Sequence, residues 1–319
     1  MTKIALFGAA GAIGRSIASA LRQAETPYRV VGRSLAALQK EFGADPLAEA
    51  VSWNPDDPDS VRAAARGIDT LIYLVGVDYW RFAQHPILME KTLAGAIAEG
   101  VKRVVLIGTV YPYGRAQTER VTEDHPREPH TFKGRMRKAQ EELLLAAHAA
   151  GKIQATVLRL PDFFGPGVDK SFLGGAFTAA VRGGTADLIG PIDRPHQFVF
   201  VPDVGKVVLK LAAAAAAYGR IWHFAGSGVT SQAALLAEIE NKTGRPLKRR
   251  IVGKTGLRVL GLFNRMLREM VEMHYLVTEP VILDDSALVG LIGPLVRTPY
   301  AQGVAQSLAA VGGQQSLTT

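Results

Sequence analysis

The sequence predicts an α/β protein, a doubly wound parallel sheet with a smaller, discontinuous C-terminal lobe, on three observations. Short β-branched runs alternate with alanine-rich helical stretches through the first half, a glycine triplet follows the first run, and the composition turns to Gly, Pro and Asp beyond Leu160. Strands separated by helices imply parallel pairing with helices on both faces of the sheet.

The elements follow in order. KIALFG, RSIASALRQA, YRVVGRS and SLAALQKEF open the alternation, and AEAVSW, DSVRAAARG and DTLIYLVG continue it. The helix around ILMEKTLAGAIAEG, the strand KRVVLIGT, the long helix around RMRKAQEELLLAAHAAG and the strand QATVLRL complete a dinucleotide-binding domain over residues 1–160. PDFFGPGVDKS and GGTADLIGPIDRP then read as loops. QFVFVPDVGKVVLKLAAAAAA and GRIWHFAG return to strand, helix and strand, so about 196–226 is expected to rejoin the first domain, with 161–195 and 227–319 forming the substrate lobe.

At 319 residues, 48% hydrophobic and 21% charged, the chain has the composition of an ordinary soluble globular protein. The absence of cysteine excludes disulfides, thiolate metal sites and a cysteine nucleophile, and no metal site is expected. The N-terminal apolar run is too short for a signal-peptide core, and no window has the length of a membrane span, so a reducing cytoplasm is the expected location. The formal charge of +8 is regional: Lys242, Arg245, Lys248, Arg249, Arg250, Lys254, Arg258, Arg265 and Arg268 occur with no acid among them. A solvated basic face is the first reading and an anionic small-molecule substrate the second. Nucleic acid or an acidic membrane surface comes last, because aromatic residues are not interleaved with these charges.

GAAGAIG puts Gly8, Gly11 and Gly14 between the first strand and the first helix, with Ala12 and Ile13 between the last two glycines. Glycines there let the backbone turn tightly and approach a diphosphate, whose charge meets the free N–H groups of the helix start. This is the phosphate cradle of a Rossmann domain. At the end of the second strand, VVGRS offers Arg33 and Ser34 where an acid would accept the 2′-hydroxyl of NAD. A guanidinium can pair with a 2′-phosphate instead, so NADP is expected over NAD.

The spacing GxxGxxG resembles that of the extended short-chain dehydrogenase/reductase family, also called the NAD(P)-dependent epimerase/dehydratase family. WNPDDPDSV resembles its loop after the third strand, with Asn54 and Pro55 at adenine-contacting positions. Leu74, Val75 and Gly76 resemble the fourth-strand end that passes beneath the cofactor ribose. IGTVYPYG resembles SSxxxYG and puts Thr109 at the catalytic Ser/Thr position; LRLPDFFGPG, with Pro161, resembles the segment beside the nicotinamide; TPYAQGVAQSL resembles the family's closing helix.

The resemblance implies a Tyr and a Lys four residues apart on one helix, the lysine holding the nicotinamide ribose and lowering the phenol pKa. In TFKGRMRKAQEE the alignment places Lys138 at the lysine, Glu142 after it, and Gly134 at the tyrosine, which glycine cannot replace as a proton donor. Tyr111 is the expected substitute, completing a catalytic set with Thr109 and Lys138, whereas Tyr113 reads as loop support. His125, His130, His196, His223 and Asp162 read first as structural.

The expected function is an NADP-dependent oxidoreductase or epimerase-like enzyme acting on a small carbonyl, hydroxyl or sugar-derived substrate. A non-catalytic NADP-binding sensor or scaffold is the alternative, and a nucleotide-sugar epimerase is the third reading. Relatives of this type often pair through helices of the first domain, which makes a homodimer the expected assembly.

Overall fold

The structure, a computed structural model, describes residues 3–168 and 171–313. The first part of the chain runs β1 (Ile4–Phe7), α1 (Ala12–Gln23), β2 (Tyr28–Gly32), α2 (Leu35–Phe42), β3 (Ala48–Ser52), α3 (Pro58–Ala65), β4 (Thr70–Tyr73), α4 (Gln84–Ala98), β5 (Arg103–Thr109), α5 (Phe132–Ala149) and β6 (Gln154–Leu160). It continues through β7 (Asp162–Phe164), α6 (Gly174–Arg182), β8 (Ala186–Ile189), β9 (His196–Phe200), α7 (Val201–Ala213), β10 (Ile221–His223), β11 (Val229–Thr230) and α8 (Gln232–Thr243). The last part is β12 (Arg249–Val252), α9 (Lys254–Leu260), α10 (Arg265–Met273), α11 (Tyr275–Thr278), α12 (Ser286–Ile292) and α13 (Tyr300–Gly313). Among the described residues, no helix is long and apolar enough to cross a membrane.

Seven parallel strands form the main sheet in the order β10-β6-β5-β4-β1-β2-β3. The order reverses between β1 and β4, whose ends meet at Phe7 and Tyr73. Helices leave these two strands toward opposite faces, so a crevice opens at their C-terminal ends, which is where open α/β sheets bind ligands. Leu6, Ile17, Val30, Ile72, Val204 and Val208 fill the core on one face. Phe7, Val31, Val61, Met89, Leu93 and Val104 fill it on the other.

Strand β9 departs from the expectation that residues 196–226 all rejoin the first domain. It pairs with β7 and β11 in a separate three-stranded sheet, whereas α7 and β10 do return to the main body. The reason lies in strand periodicity: Val199 faces the first-domain core, while Phe198 and Phe200 on the opposite face join Phe164 and Phe177 in the core of the second lobe. The C-terminal stretch is shared as well, because Leu288, Leu291 and Ile292 of α12 pack into the first-domain core.

Helices α1 and α7 cross at Gly205, where a Cβ would stand 2.2 Å from the Ser16 carbonyl oxygen. The Gly205 N–H donates to Ser16 Oγ at 3.0 Å across the same contact. In an open helix, glycine-to-alanine gains about 1 kcal/mol of propensity. Here Gly205→Ala should instead destabilise by about 1–3 kcal/mol, the usual range for overpacking, read as a lower urea midpoint. A raised midpoint would show that the helices can separate at no cost.

Candidate active site

Each glycine of the first turn has its own geometric reason. Gly8 sits at φ 92°, and a Cβ there would lie 2.9 Å from the backbone of Leu74 and Val75, so only glycine lets this turn touch the end of β4. A Cβ on Gly14 would be 2.1 Å from the Ala9 carbonyl oxygen, which sets how closely α1 approaches β1. Gly11, at the N-cap of α1, would present a Cβ to open space with no atom within 4 Å. No side chain caps α1 and its first turn carries no acid, so the Ala12 and Ile13 N–H groups stand at an open, electropositive helix end.

Around the turn, Arg15 donates to the Ala10 carbonyl at 2.9 Å and the Gly167 carbonyl at 3.0 Å, bridging the first turn to the loop after β7. Arg33 is exposed at the end of β2, while the Ser34 hydroxyl is used as the N-cap of α2, accepting from the Ala37 N–H at 3.2 Å. Asn54 is exposed, and its side-chain oxygen accepts from the Asp56 N–H at 3.0 Å; Pro55, Leu74 and Val75 are half-buried, Gly76 is exposed and Pro161 is buried.

The α5 helix is rotated relative to the sequence expectation. Its buried face carries Lys133, Gly134, Arg137, Gln140, Glu141 and Leu144. Glu141, not Glu142, reaches the buried Arg159 of β6, accepting from its Nε at 3.1 Å and from its Nη2. Lys138 and Glu142 form a surface pair at 3.6 Å on a face turned away, so Lys138 is not brought to the cleft. Arg137 occupies the inward position: Nη2 donates to the Ile107 carbonyl at 3.2 Å, and Nη1 donates to Gln140 Oε1 at 2.8 Å and faces His85 Nδ1 at 3.3 Å.

Four residues before Arg137 stands Lys133, so in this register the residue at the tyrosine position is a lysine and not Gly134. Gly134 has a packing reason of its own. A Cβ there would lie 2.6 Å from Pro129 Cβ and 2.8 Å from the Tyr111 carbonyl oxygen. The Thr131 hydroxyl caps the helix by accepting from the Gly134 N–H at 3.0 Å.

Lys133 is 1% exposed, and its Nζ donates to Glu269 Oε2 at 2.6 Å and Glu272 Oε1 at 2.5 Å, both on α10. The same ammonium lies 5.6 Å from the ring centres of Tyr79 and Phe82, which a buried cation favours. The Tyr79 and Tyr111 hydroxyls are 2.8 Å apart, and the Tyr111 N–H donates to Thr109 Oγ1 at 3.4 Å. Burial, more than any neighbour, raises the pKa of both phenols, so they are neutral proton carriers at ordinary pH.

Asp162 accepts from the Phe163 N–H at 3.0 Å and the Phe172 N–H at 3.4 Å, and stands 4.0 Å from His196 Nε2. Burial pushes its carboxyl up to about 7 against those two hydrogen bonds, and burial pushes His196 down to about 4. Asp162 is thus a titrating group beside the two phenols, whose own pKa values its charge raises.

His125 and His223 are held by hydrogen bonds on both ring nitrogens. His125 accepts the Gln117 N–H at 2.9 Å on Nε2 and donates from Nδ1 to the Pro126 carbonyl at 2.8 Å. His223 donates from Nδ1 to the Asp284 carbonyl at 2.9 Å, leaving Nε2 to accept the Tyr113 hydroxyl at 2.5 Å. His130 is exposed, its ring 4.5 Å from that of Tyr275. Sequence reasoning missed Lys133, Arg137, Tyr79, Glu269 and Glu272, which no motif marks.

A doubly wound sheet with an open glycine turn at its switch point and a polar cluster at the ends of β4, β5 and β6 defines a dinucleotide-dependent enzyme class. The sequence model of the NAD dependent epimerase/dehydratase family matches residues 4–223, and the chain belongs to that family. The dTDP-6-deoxy-L-talose 4-dehydrogenase (NAD(P)(+)) of Kitasatospora kifunensis is 28% identical over 229 residues, 66% of this chain and 70% of that one. In fold, the chain is similar to a dTDP-glucose 4,6-dehydratase of Bacillus anthracis solved with NAD, at TM-score 0.83 and 14% identity over 99% of this chain and 98% of that one. It is also similar to a UDP-glucuronic acid 4-epimerase of Bacillus cereus solved with NAD, at TM-score 0.80 and 14% identity over 100% of each chain.

The raised Asp162 pKa makes a prediction about stability. The unfolded carboxyl ionises near pH ~3.9 and the folded one at about 7, so between these values the folded chain holds the extra proton and loses stability as pH rises. Asp162→Asn removes that loss. The variant should gain on wild type by about 2–4 kcal/mol between the two pKa values, with the difference level above them. His196 has the opposite slope but is present in both proteins. Parallel stability curves from denaturant titrations across this range would show that Asp162 is ionised throughout.

Proposed function

We propose that the protein is an NADP-dependent oxidoreductase or epimerase acting on a hydroxyl or carbonyl carbon of a small sugar-derived substrate, with nucleotide-linked sugars the class its relatives point to. The observation that carries the reading is the first turn: Gly11 leaves space beside an uncapped helix end, at the sheet's switch point, with no acid at the end of β2. Those residues fit a dinucleotide. Ala12 and Ile13 would meet the diphosphate through their N–H groups, and Arg33, exposed and next to the α2 cap, would meet a 2′-phosphate. Asn54 and Pro55 would flank the adenine; Leu74, Val75 and Gly76 would lie under the ribose; Pro161 would back the nicotinamide.

The cofactor supplies hydride exchange, and this chain's residues supply the proton and the orientation. Thr109 and Tyr111 stand at the end of β5, where the neutral Tyr111 phenol, hydrogen-bonded to Tyr79 at 2.8 Å, would give its proton to the oxygen of a carbonyl that takes up hydride. The Arg137 guanidinium, fixed from Ile107 and Gln140, places a permanent positive charge on the α5 face where the family carries its lysine. One feature favours a second reading, a cofactor-binding sensor without turnover: Lys133, at the tyrosine position, is tied to two carboxylates. A sensor binds NADPH but exchanges no hydride with any hydroxyl or carbonyl compound.

Fluorescence titration tests the cofactor assignment. NADPH should bind more tightly than NADH, and Arg33→Ala should erase most of that margin, about 1.5–3 kcal/mol for a charged hydrogen bond. Equal affinities in wild type, unchanged in the variant, would reject NADP preference.

A further inference from the structure

We infer that the α9–α10 hairpin is a peripheral docking point for an anionic lipid surface. Its tip is the most apolar exposed feature among the described residues: Leu262 is 76% and Phe263 88% exposed, with Val259 and Leu260 exposed beside them. The tip is a built turn. The Gly261 N–H donates to Leu257, the Leu262 N–H to Val259, and the Phe263 and Asn264 N–H groups to Leu260, all to backbone carbonyls. The Asn264 side chain caps α10, and Gly261 lets the helices close, since a Cβ there would lie 2.8 Å from the Arg268 Cα. Two large apolar side chains are therefore held outward by ordered backbone.

The charge around the tip selects the occupant. Arg249 and Arg250 are paired with Glu240 and Asp187. Lys254, Arg258, Arg265 and Arg268 are exposed and have no carboxylate within ion-pair distance among the described residues. Arg265 stacks over Trp80 at 4.8 Å, which brings an interfacial aromatic to the patch from a segment far away in sequence. Charge patterning ranks a membrane surface low, but Phe263 does lie between Arg258 and Arg265, and the fold brings Trp80 in beside Arg265. An apolar point ringed by unpaired cations suits insertion at the headgroup boundary of an acidic bilayer. Two copies joined tip to tip would bring like charges together, which disfavours self-association.

The hairpin also touches the cleft, because α10 carries Glu269 and Glu272, the partners of Lys133. Docking would therefore hold the cleft mouth close to the lipid surface.

The test is co-sedimentation of the full chain with phosphatidylcholine vesicles, with and without phosphatidylserine. Binding should require phosphatidylserine, weaken as salt is raised, and fall at least ~10-fold in the Leu262→Ser/Phe263→Ser double variant. The Arg258→Glu/Arg265→Glu double variant should lose it too. Both variants alter exposed residues, and an unchanged thermal midpoint will show that they fold. Failure of wild type to sediment, or equal sedimentation of the apolar variant, overturns the inference. So does light scattering that shows an oligomer of wild type dissolved by the Leu262→Ser/Phe263→Ser change, because the tip would then be an interface between copies.

Discussion

The Arg159–Glu141 ion pair is the constraint on which the candidate site depends. Arg159 lies near the end of β6, between β5 and the edge strand β10, with no exposure, and a buried guanidinium without a partner would cost several kcal/mol. Glu141 meets it from α5 with both oxygens, Arg127 approaches Glu141 at 3.5 Å, and the Tyr113 ring lies 4.1 Å from the guanidinium. Gly108 of β5 makes room, since a Cβ there would sit 3.3 Å from Glu141 Oε1 and 3.0 Å from Val157. Removing one partner of such a pair typically costs about 3–5 kcal/mol. What the pair determines is rotational: it fixes which face of α5 meets the sheet, and so sends Lys133 and Arg137 inward and Lys138 and Glu142 out.

From that rotation follows the way the second lobe is tied down. Lys133 binds Glu269 and Glu272, and Glu272 also accepts from the Phe132 N–H at 2.9 Å, so one turn of α10 holds the start of α5. Elsewhere along the boundary, Asp203 accepts from Thr298 N–H and hydroxyl at 2.7 and 2.8 Å, and Arg15 reaches the Gly167 carbonyl. These are charge-assisted contacts set beside an apolar boundary, in which Val110, Tyr113 and Val121 pack with Leu257, Met270, Met273 and Leu276. They are directional, and they can be broken and remade as units, which suits a cleft that must admit both a cofactor and a substrate.

The parallel sheet, the glycine turn and the family were legible because each rests on local pattern: alternating strand and helix periods, and glycines whose neighbours in space are close in sequence. The register of α5 was not. Arg137 and Lys138 are adjacent, as are Glu141 and Glu142, so two alignments one residue apart give the same string of charge types. Only the position of Arg159, brought over from β6, tells them apart, and a shift of one residue turns a helical side chain by about 100°. The assignment of β9 was incomplete for a related reason. Its two faces belong to different cores, Val199 to one and Phe198 with Phe200 to the other, and an apolar run does not say which core each face meets. Lys133 lies more than a hundred residues from Glu269 and Glu272, and no spacing rule joins it to them.

The central claim is that Arg137, and not Lys138, is the basic residue that α5 presents to the cofactor. NADPH affinity of Arg137→Met and Lys138→Met, measured by calorimetry on proteins first shown to be folded, tests it most directly. The account predicts that Arg137→Met loses about 1.5–3 kcal/mol of binding, the worth of a charged hydrogen bond, and that Lys138→Met binds as wild type. Loss of affinity in Lys138→Met with Arg137→Met unaffected would contradict it, and would mean that α5 turns its other face to the site.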